Sequence, residues 1–380
     1  MLLQNKLLIL PSERALRRIT ATLGEPSQST SIKYLNTRRS ELNSFEANVN
    51  LIFDEIYIAS RVEYSSASGK LFGLTSEGQL ASTILCFMAS SVCGRFQDVV
   101  ALIPMSHFDT RKLQAATLDV LKLLDSSGFN VVSICCDNHL VNRSFFKNIL
   151  CEGNLTSSVA HPITKKPLFL LFDSVHNFKN VYNNLYNRRE LAFPDFDDPD
   201  VKHCASFDDI CSLYAKELQR PLKMAHKLNA KSLEPKNIEK TSVKLASAIF
   251  HESTLNALNY FCINENKQWN GTAKFIDIVL KMWKIVNVKT PSIGHHKKDA
   301  FREPILRCDD FKLQYLEKFA HFIQTWSSSG MRCLSKETCL ALKHTSLSLC
   351  SLAKYLLSDL GFSYVLLGKL QSDPLESRFG

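Results

Sequence analysis

A chain of 380 residues that is 45% hydrophobic, 10% aromatic and 22% charged can bury a sizeable core, which excludes a disordered or low-complexity polymer. Its net charge of +9 admits a polyanionic partner without specifying one, and no apolar run approaches the ~20 residues that a membrane span needs. The twelve cysteines include no CxxC pair, and Cys135 and Cys136 sit inside an apolar run; core thiols of a reduced intracellular protein fit this better than a disulfide or zinc framework.

Met1 to Leu10 is too short and too interrupted for a signal peptide. Ser12 then caps a short basic helix with Leu16 and Ile19 on one face. Residues 24–46 are polar and Ser/Thr-rich, a linker and a short helix, so 1–46 reads as a leader. Asn48 to Ala59 is a dense β-branched and aromatic run, hence a buried strand. Asp54 and Glu55 lie inside it, and a buried carboxylate costs several kcal/mol unless paired or metal-bound. Neighbours on a strand point to opposite faces, so either acid could face the core. A turn at 65–70 joins this strand to another at 70–74, and 83–88 and 98–103 continue the sheet. Residues 109–126 have helical spacing, 130–137 is a strand ending in Asp137, and 138–150 is a helix. A strand over 167–173 and a helix over 174–190 follow.

From 191 the pattern changes. Pro194 to Asp200 is an acidic loop, and helices are predicted over 206–228, 235–262, 270–287 and 309–325. No strand pattern returns before Tyr364 to Leu367. The division is 47–190 for the first part of a sheet domain, 191–345 for a helical insertion and 346–380 for the rest of the sheet domain. Ser372-Asp373-Pro374-Leu375-Glu376 opens a last helix, with a capping residue, a first-turn Pro and a carboxylate one turn in. Only four residues follow Glu376, and a helix so short is marginal on its own.

Several of these segments resemble P-element-type DNA transposases, including the THAP-domain proteins derived from them. Gln371 to Gly380 (QSDPLESRFG) is similar to the family's SDPLE(N)RFG segment. Leu10 to Arg18 is similar to its leader, Asp54-Glu55 to its first catalytic strand, and Asp137-Asn138 through Asn142-Arg143 to its DGxxxNR turn. Phe172 to Asn184 is similar to its FDPPHLLKNIRN stretch. The family's small zinc-binding DNA-recognition module has no counterpart ahead of the leader. The resemblance implies an α/β fold, an RNase H-like mixed sheet interrupted by a large helical insertion. It implies that Asp54, Asp137 and Glu376 hold Mg²⁺ or Mn²⁺ for phosphodiester cleavage and strand transfer. Asp137 is also a plain cap for the helix after it.

In the same family the insertion binds GTP. The resemblance implies Asp373 and, on the helix that contacts the purine, Asp277 as nucleotide contacts, while Lys227, Lys240 and Lys244 read as part of a phosphate-binding stripe for nucleotide or DNA. Lysines 223, 227, 231, 236, 240 and 244 recur every four or five residues with His226 among them, which equally describes a solvated helical face. Asp373 equally describes a first-turn carboxylate facing the helix dipole. There is no P-loop, and Lys284 stands one turn after Asp277, the sole acid of its helix. His295-His296-Lys297-Lys298 reads as a basic loop. The resemblance also implies DNA as partner, residence in the nucleus and homo-oligomerisation, with no membrane association. The rival reading is a domesticated or truncated, non-catalytic DNA-binding or regulatory protein on the same scaffold.

Overall fold

The structure, a computed structural model, describes residues 28–66, 69–236, 239 and 242–379. The leader helix expected over 11–20 and Lys240 lie outside the described residues. Helix α1 (Gln28–Ser40) precedes strand β1 (Asn48–Tyr57). A ribbon of β2 (Glu63–Ser65) and β3 (Lys70–Phe72) follows, then β4 (Thr83–Ser91) and β5 (Gln97–Met105). Next come α2 (Thr110–Ser126), β6 (Asn130–Cys136), α3 (Leu140–Ser144) continued by a π-turn over Phe145–Leu150, β7 (Ser158–Ala160), β8 (Pro167–Phe172) and α4 (Ser174–Arg188).

The main sheet has the order β5-β4-β1-β6-β8-β7. Strand β4 runs antiparallel to β1 and β5, and β6 and β8 run parallel to β1. This is the RNase H-like arrangement, with β7 as an added antiparallel edge. The 70–74 segment, expected in this sheet, instead pairs with β2 over Lys70–Phe72 and bridges Leu80 at Leu74. Its strand is three residues long and wholly exposed, with Leu71 and Phe72 more than half open to solvent, so nothing covers its apolar side chains.

Period-two alternation sorts the sheet's side chains into two cores. Val49, Leu51 and Phe53 of β1 join Leu113, Val120, Leu121 and Leu124 of α2 on one face. Ile52, Cys86, Cys135 and Leu171 join the helical block on the other. Asp54 follows Ile52 in register and pairs across the ladder with Cys86, so it lies on the insertion side and Glu55 on the α2 side.

The insertion opens with a hairpin the sequence did not signal, β9 (Glu190–Pro194) against β10 (Lys202–Ser206), with the acidic loop at its tip. Leu191 and Phe193 are its buried face. Helix α5 (Phe207–Leu218) starts at a Ser206 cap and stops ten residues earlier than expected. After it come α6 (Ala230–Leu233), α7 (Val243–Ile249), α8 (Glu252–Asn264), α9 (Asn270–Val286), α10 (Ile293–Lys297), α11 (Phe311–Ser328), α12 (Lys336–Ser358) and α13 (Asp373–Phe379). The single helix expected over 235–262 is broken at Phe250 and His251, whose extended backbone and ring nitrogen cap α8. His295 to Lys297 form the short α10 instead of a loop. The strand expected at 364–367 is one bridge, Ile305 with Val365, followed by a 3-10 turn over Leu367–Leu370.

Helix α9 is the hub of the insertion, buried on most of its circumference. Trp283 stacks on Phe178 of α4 with centroids 4.1 Å apart, and Trp326 of α11, fully buried, donates its Nε1–H to Ala192 O at 2.6 Å. Helix α12 covers β8, where Thr345 Oγ1 bonds both Phe172 O and Phe172 N. Near the start of α9, a Cβ on Gly271 would lie 2.0 Å from Cys204 O of β10. Gly271→Ala is therefore expected to destabilise the fold by about 2 kcal/mol or more, read as a lower urea midpoint. Gly330→Ala, where φ is positive but the space is open, should cost only ~1 kcal/mol.

Candidate active site

The parallel strands β1, β6 and β8 end on one side of the sheet, and each end carries an acid. Asp54 is near the end of β1, Asp137 follows β6 directly and Asp173 follows β8 directly. Asp54 and Asp137 line one cleft with Tyr57, Phe108, His139 and Asn142. Asp54 Oδ1 accepts the Glu55 N–H at 2.8 Å. Asp137 Oδ1 accepts His139 N–H at 3.0 Å and Asn142 Nδ2–H at 2.6 Å, so it does cap the following turn as well as facing the cleft. Asn138, where the resembled motif has Gly, donates Nδ2–H to Glu337 O at the start of α12. Burial pushes the Asp54 carboxyl up to about 6, against its bond to Glu55, and the charges of Asp137 and Glu376 push it the same way. Helix α13, which carries Glu376, packs against β1 beside this cleft.

Glu376 reaches that neighbourhood through Asp173. The Asp173 carboxylate is fully buried. One oxygen accepts His176 N–H at 2.8 Å and so caps α4; the other accepts Ser372 N–H at 2.9 Å. Burial raises its pKa, and these bonds and the His176 charge oppose the rise. His176 Nε2 then meets Glu376 Oε1 at 2.9 Å, and Ser372 Oγ–H donates to the same oxygen at 3.0 Å. The His176 bond holds the Glu376 carboxyl down at about 2, although burial works the other way. Burial opposes the imidazolium, yet Glu376 and Asp173 outweigh it and keep His176 above its usual value. Asp173, His176 and Glu376 offer ligand atoms within 4.8 Å of one another. The α13 helix, marginal by length, is fixed by tertiary contacts: Leu375 is buried in the insertion-side core and Gln371 Nε2–H donates to Val286 O. Glu376 is therefore held, not loose as its short helix suggested.

His176 and Lys179 belong to the motif quoted above but carried no assigned role. Their spacing of three and six from Asp173 places them on one helical face, and Lys179, itself buried, adds positive charge beside Glu376.

The nucleotide candidates are scattered. Lys227 is exposed in the turn between α5 and α6, and Lys244 is exposed on α7. Lys223 lies over the Tyr214 ring and Lys231 pairs loosely with Glu239, so these lysines do not share one helix face. Asp277 pairs with Lys281 at 2.7 Å in mid-α9. Asp373 pairs with Lys289 beyond the end of α9. Roughly 16 Å of helix and turn separates Asp277 from Val288, whose carbonyl meets Gly368 N. Lys284 is enclosed between Glu252 at 2.6 Å and Asp299 at 3.0 Å; carboxylates scarce along α9 are supplied here in space.

Two pH effects follow. Asp54, raised from 3.8 to about 6, binds a proton more tightly folded than unfolded, so stability falls as pH rises through that window. Asp54→Asn should raise stability by about 3 kcal/mol above pH 7 without metal and by little near pH 4, measured by urea unfolding. Glu376, lowered from 4.5, stabilises above that value, and His176, raised from 6.5, stabilises below it. The deficit of His176→Gln should thus be largest between pH 4.5 and 6.5 and shrink on either side.

Comparison with known proteins matches the same two parts of the chain. The model described as TNP-like, RNase H N-terminal domain matches residues 26–150, and that described as TNP-like, GTP-binding insertion domain matches residues 175–299. The Transposable element P transposase of Drosophila melanogaster is 21% identical over 339 residues, covering 87% of this chain. The chain spans 41% of that relative's length. The solved Drosophila P element transposase strand transfer complex superposes with a TM-score of 0.79 at 19% identity, covering 98% of this chain and 79% of that one. With its RNase H-like sheet, its helical insertion and these matches, the chain belongs to the P-element-type transposase family.

Proposed function

We propose that this chain is the catalytic core of a DNA transposase, cutting phosphodiester bonds and transferring the freed strand with Mg²⁺ or Mn²⁺. The observation that carries the reading is geometric: Asp54 and Asp137 line one cleft at the ends of β1 and β6, and the helix that bears Glu376 packs against β1. The residues fit a hard divalent ion. Asp54 and Asp137 each commit one oxygen to a neighbouring donor, and the buried Asn142 Oδ1 has no partner among the described residues. Such an ion, when bound, activates an attacking water or hydroxyl and relieves charge on the leaving oxygen. The chain's own residues orient the site: His139 N–H and Asn142 fix the Asp137 carboxylate, while His176 and Ser372 fix that of Glu376.

DNA is the proposed polymer partner, consistent with the net charge of +9, and homo-oligomeric assembly and nuclear residence go with it. For the insertion we propose a guanine nucleotide, contacted by Lys227, Lys240, Lys244, Asp277 and Asp373; its support is the matched insertion domain. The proposed division remains 47–190, 191–345 and 346–380, with α12 running continuously across the last boundary.

The ion pair between Glu376 and His176 favours a second reading, a non-catalytic DNA-binding or regulatory protein in which that pair serves only stability. Mn²⁺-dependent nicking of a DNA duplex separates the two. The transposase reading expects nicking by the unsubstituted chain and background levels for Asp54→Asn and Asp137→Asn with folding retained. DNA binding without nicking would establish the second reading. A fluorescent GTP analogue should bind saturably at low salt and more weakly to Lys227→Ala and Asp373→Asn; no saturable binding would leave the insertion a role in packing or DNA contact only.

A further inference from the structure

Two thiols away from the acidic cluster are in contact. Cys333, in the loop before α12, and Cys339, in the second turn of α12, have sulfurs 3.3 Å apart. All twelve cysteines are free, and this is the one sulfur–sulfur contact among the described residues. A disulfide needs an S–S distance of ~2.05 Å, so closure asks for little more than about 1 Å of side-chain movement. Cys333 is partly exposed and Cys339 is buried. Of the two, Cys333 is the thiol that a disulfide in solution can reach, which makes it the attacking group.

The segment between the two cysteines is mechanically connected. Ser335 caps α12 by accepting Thr338 N–H. Ser335 N–H donates to Asn184 Oδ1 at 2.8 Å, and Asn184 Nδ2–H donates to Thr338 Oγ1 at 3.2 Å, which fastens this end of α12 to α4. On its other side Glu337 O accepts Asn138 Nδ2–H at 3.0 Å. Arg143 Nη1–H in turn donates to Asn138 O at 2.6 Å. A bond between residues 333 and 339 would therefore close a small ring around the anchor of the Asp137-Asn138 turn.

We propose that Cys333 and Cys339 form a reversible disulfide by exchange with a small disulfide such as oxidised glutathione, and that this bond stiffens the turn bearing Asp137. In the first step the Cys333 thiolate attacks one glutathione sulfur, forms a mixed disulfide and expels one glutathione thiolate. In the second, Cys339 loses its proton to solvent, attacks the Cys333 sulfur and expels the second glutathione thiolate. The two protein thiols are oxidised, one glutathione disulfide is reduced to two thiols, and the two protons released by Cys333 and Cys339 end, through solvent, on the two glutathione sulfurs.

The experiment equilibrates the whole chain in glutathione buffers of graded ratio, quenches with acid, alkylates and maps peptides by mass spectrometry. The expected product is a 333–339 peptide lighter by two hydrogens, absent in Cys333→Ser and in Cys339→Ser. Amide exchange over 335–340 and 137–143 should be slower in the oxidised than in the reduced protein. If Cys333 and Cys339 stay alkylatable at every ratio while the exposed Cys204 and Cys308 take up glutathione, the disulfide is ruled out. If it forms but exchange over 137–143 is unchanged, the stiffening of the Asp137 turn is ruled out. The unsubstituted protein decides both, so a folding defect in either variant does not blunt the test, and no readout depends on DNA cleavage.

Discussion

The buried carboxylate of Asp173 is the constraint on which the site depends. A carboxylate without solvent is costly, and here its two oxygens take N–H groups from two places far apart in the chain. One opens α4 and the other opens the segment leading into α13. Unsatisfied N–H groups at helix starts carry partial positive charge, so the arrangement offsets the lost hydration while tying β8, α4 and α13 together. Glu376 owes its position to this tie, since both of its partners, His176 and Ser372, flank Asp173.

The insertion is not a separate bead hung from the sheet. Residues of β1, β4, β6 and β8 share one continuous core with α4, α9, α11 and α12, and the Phe178–Trp283 stack lies within it. Forces on the insertion are therefore transmitted to the sheet face that bears Asp54. The bonds from Thr345 and His344 to the β8 backbone make the same point for α12: a side-chain hydroxyl and an imidazole take the place of water on buried carbonyls.

Much of the sheet was legible because its strands are β-branched, buried and bounded by turns. The Asp54 and Glu55 ambiguity dissolves once Ile52 and Phe53 are seen to face different cores, which needs the register and not only the pattern. Hairpin β9–β10 was missed because Lys202 to Ser206 (KHCAS) shows no apolar alternation. The break at Phe250 and His251 carries no Gly or Pro, and a His ring as helix cap is an uncommon signal. The short 70–72 strand has the composition of a sheet strand but nothing to cover it. Asp173 was visible as the residue before a helix; its second bond, to a residue 199 positions away, has no local signature. The same holds for α13, which local propensity scores as marginal while Leu375 and Gln371 anchor it.

The 200-residue separation between His176 and Glu376 also has a kinetic side. Contacts that bridge long stretches of sequence wait on loop closure, and chains rich in them fold slowly. Strands β1, β6 and β8 can align while the insertion is still collapsing, but α13 has nowhere to dock until the end of α9 and the turn after it are in place. Assembly of the acidic cluster thus depends on contacts of very long sequence separation, made through a helical block that contributes none of its three carboxylates.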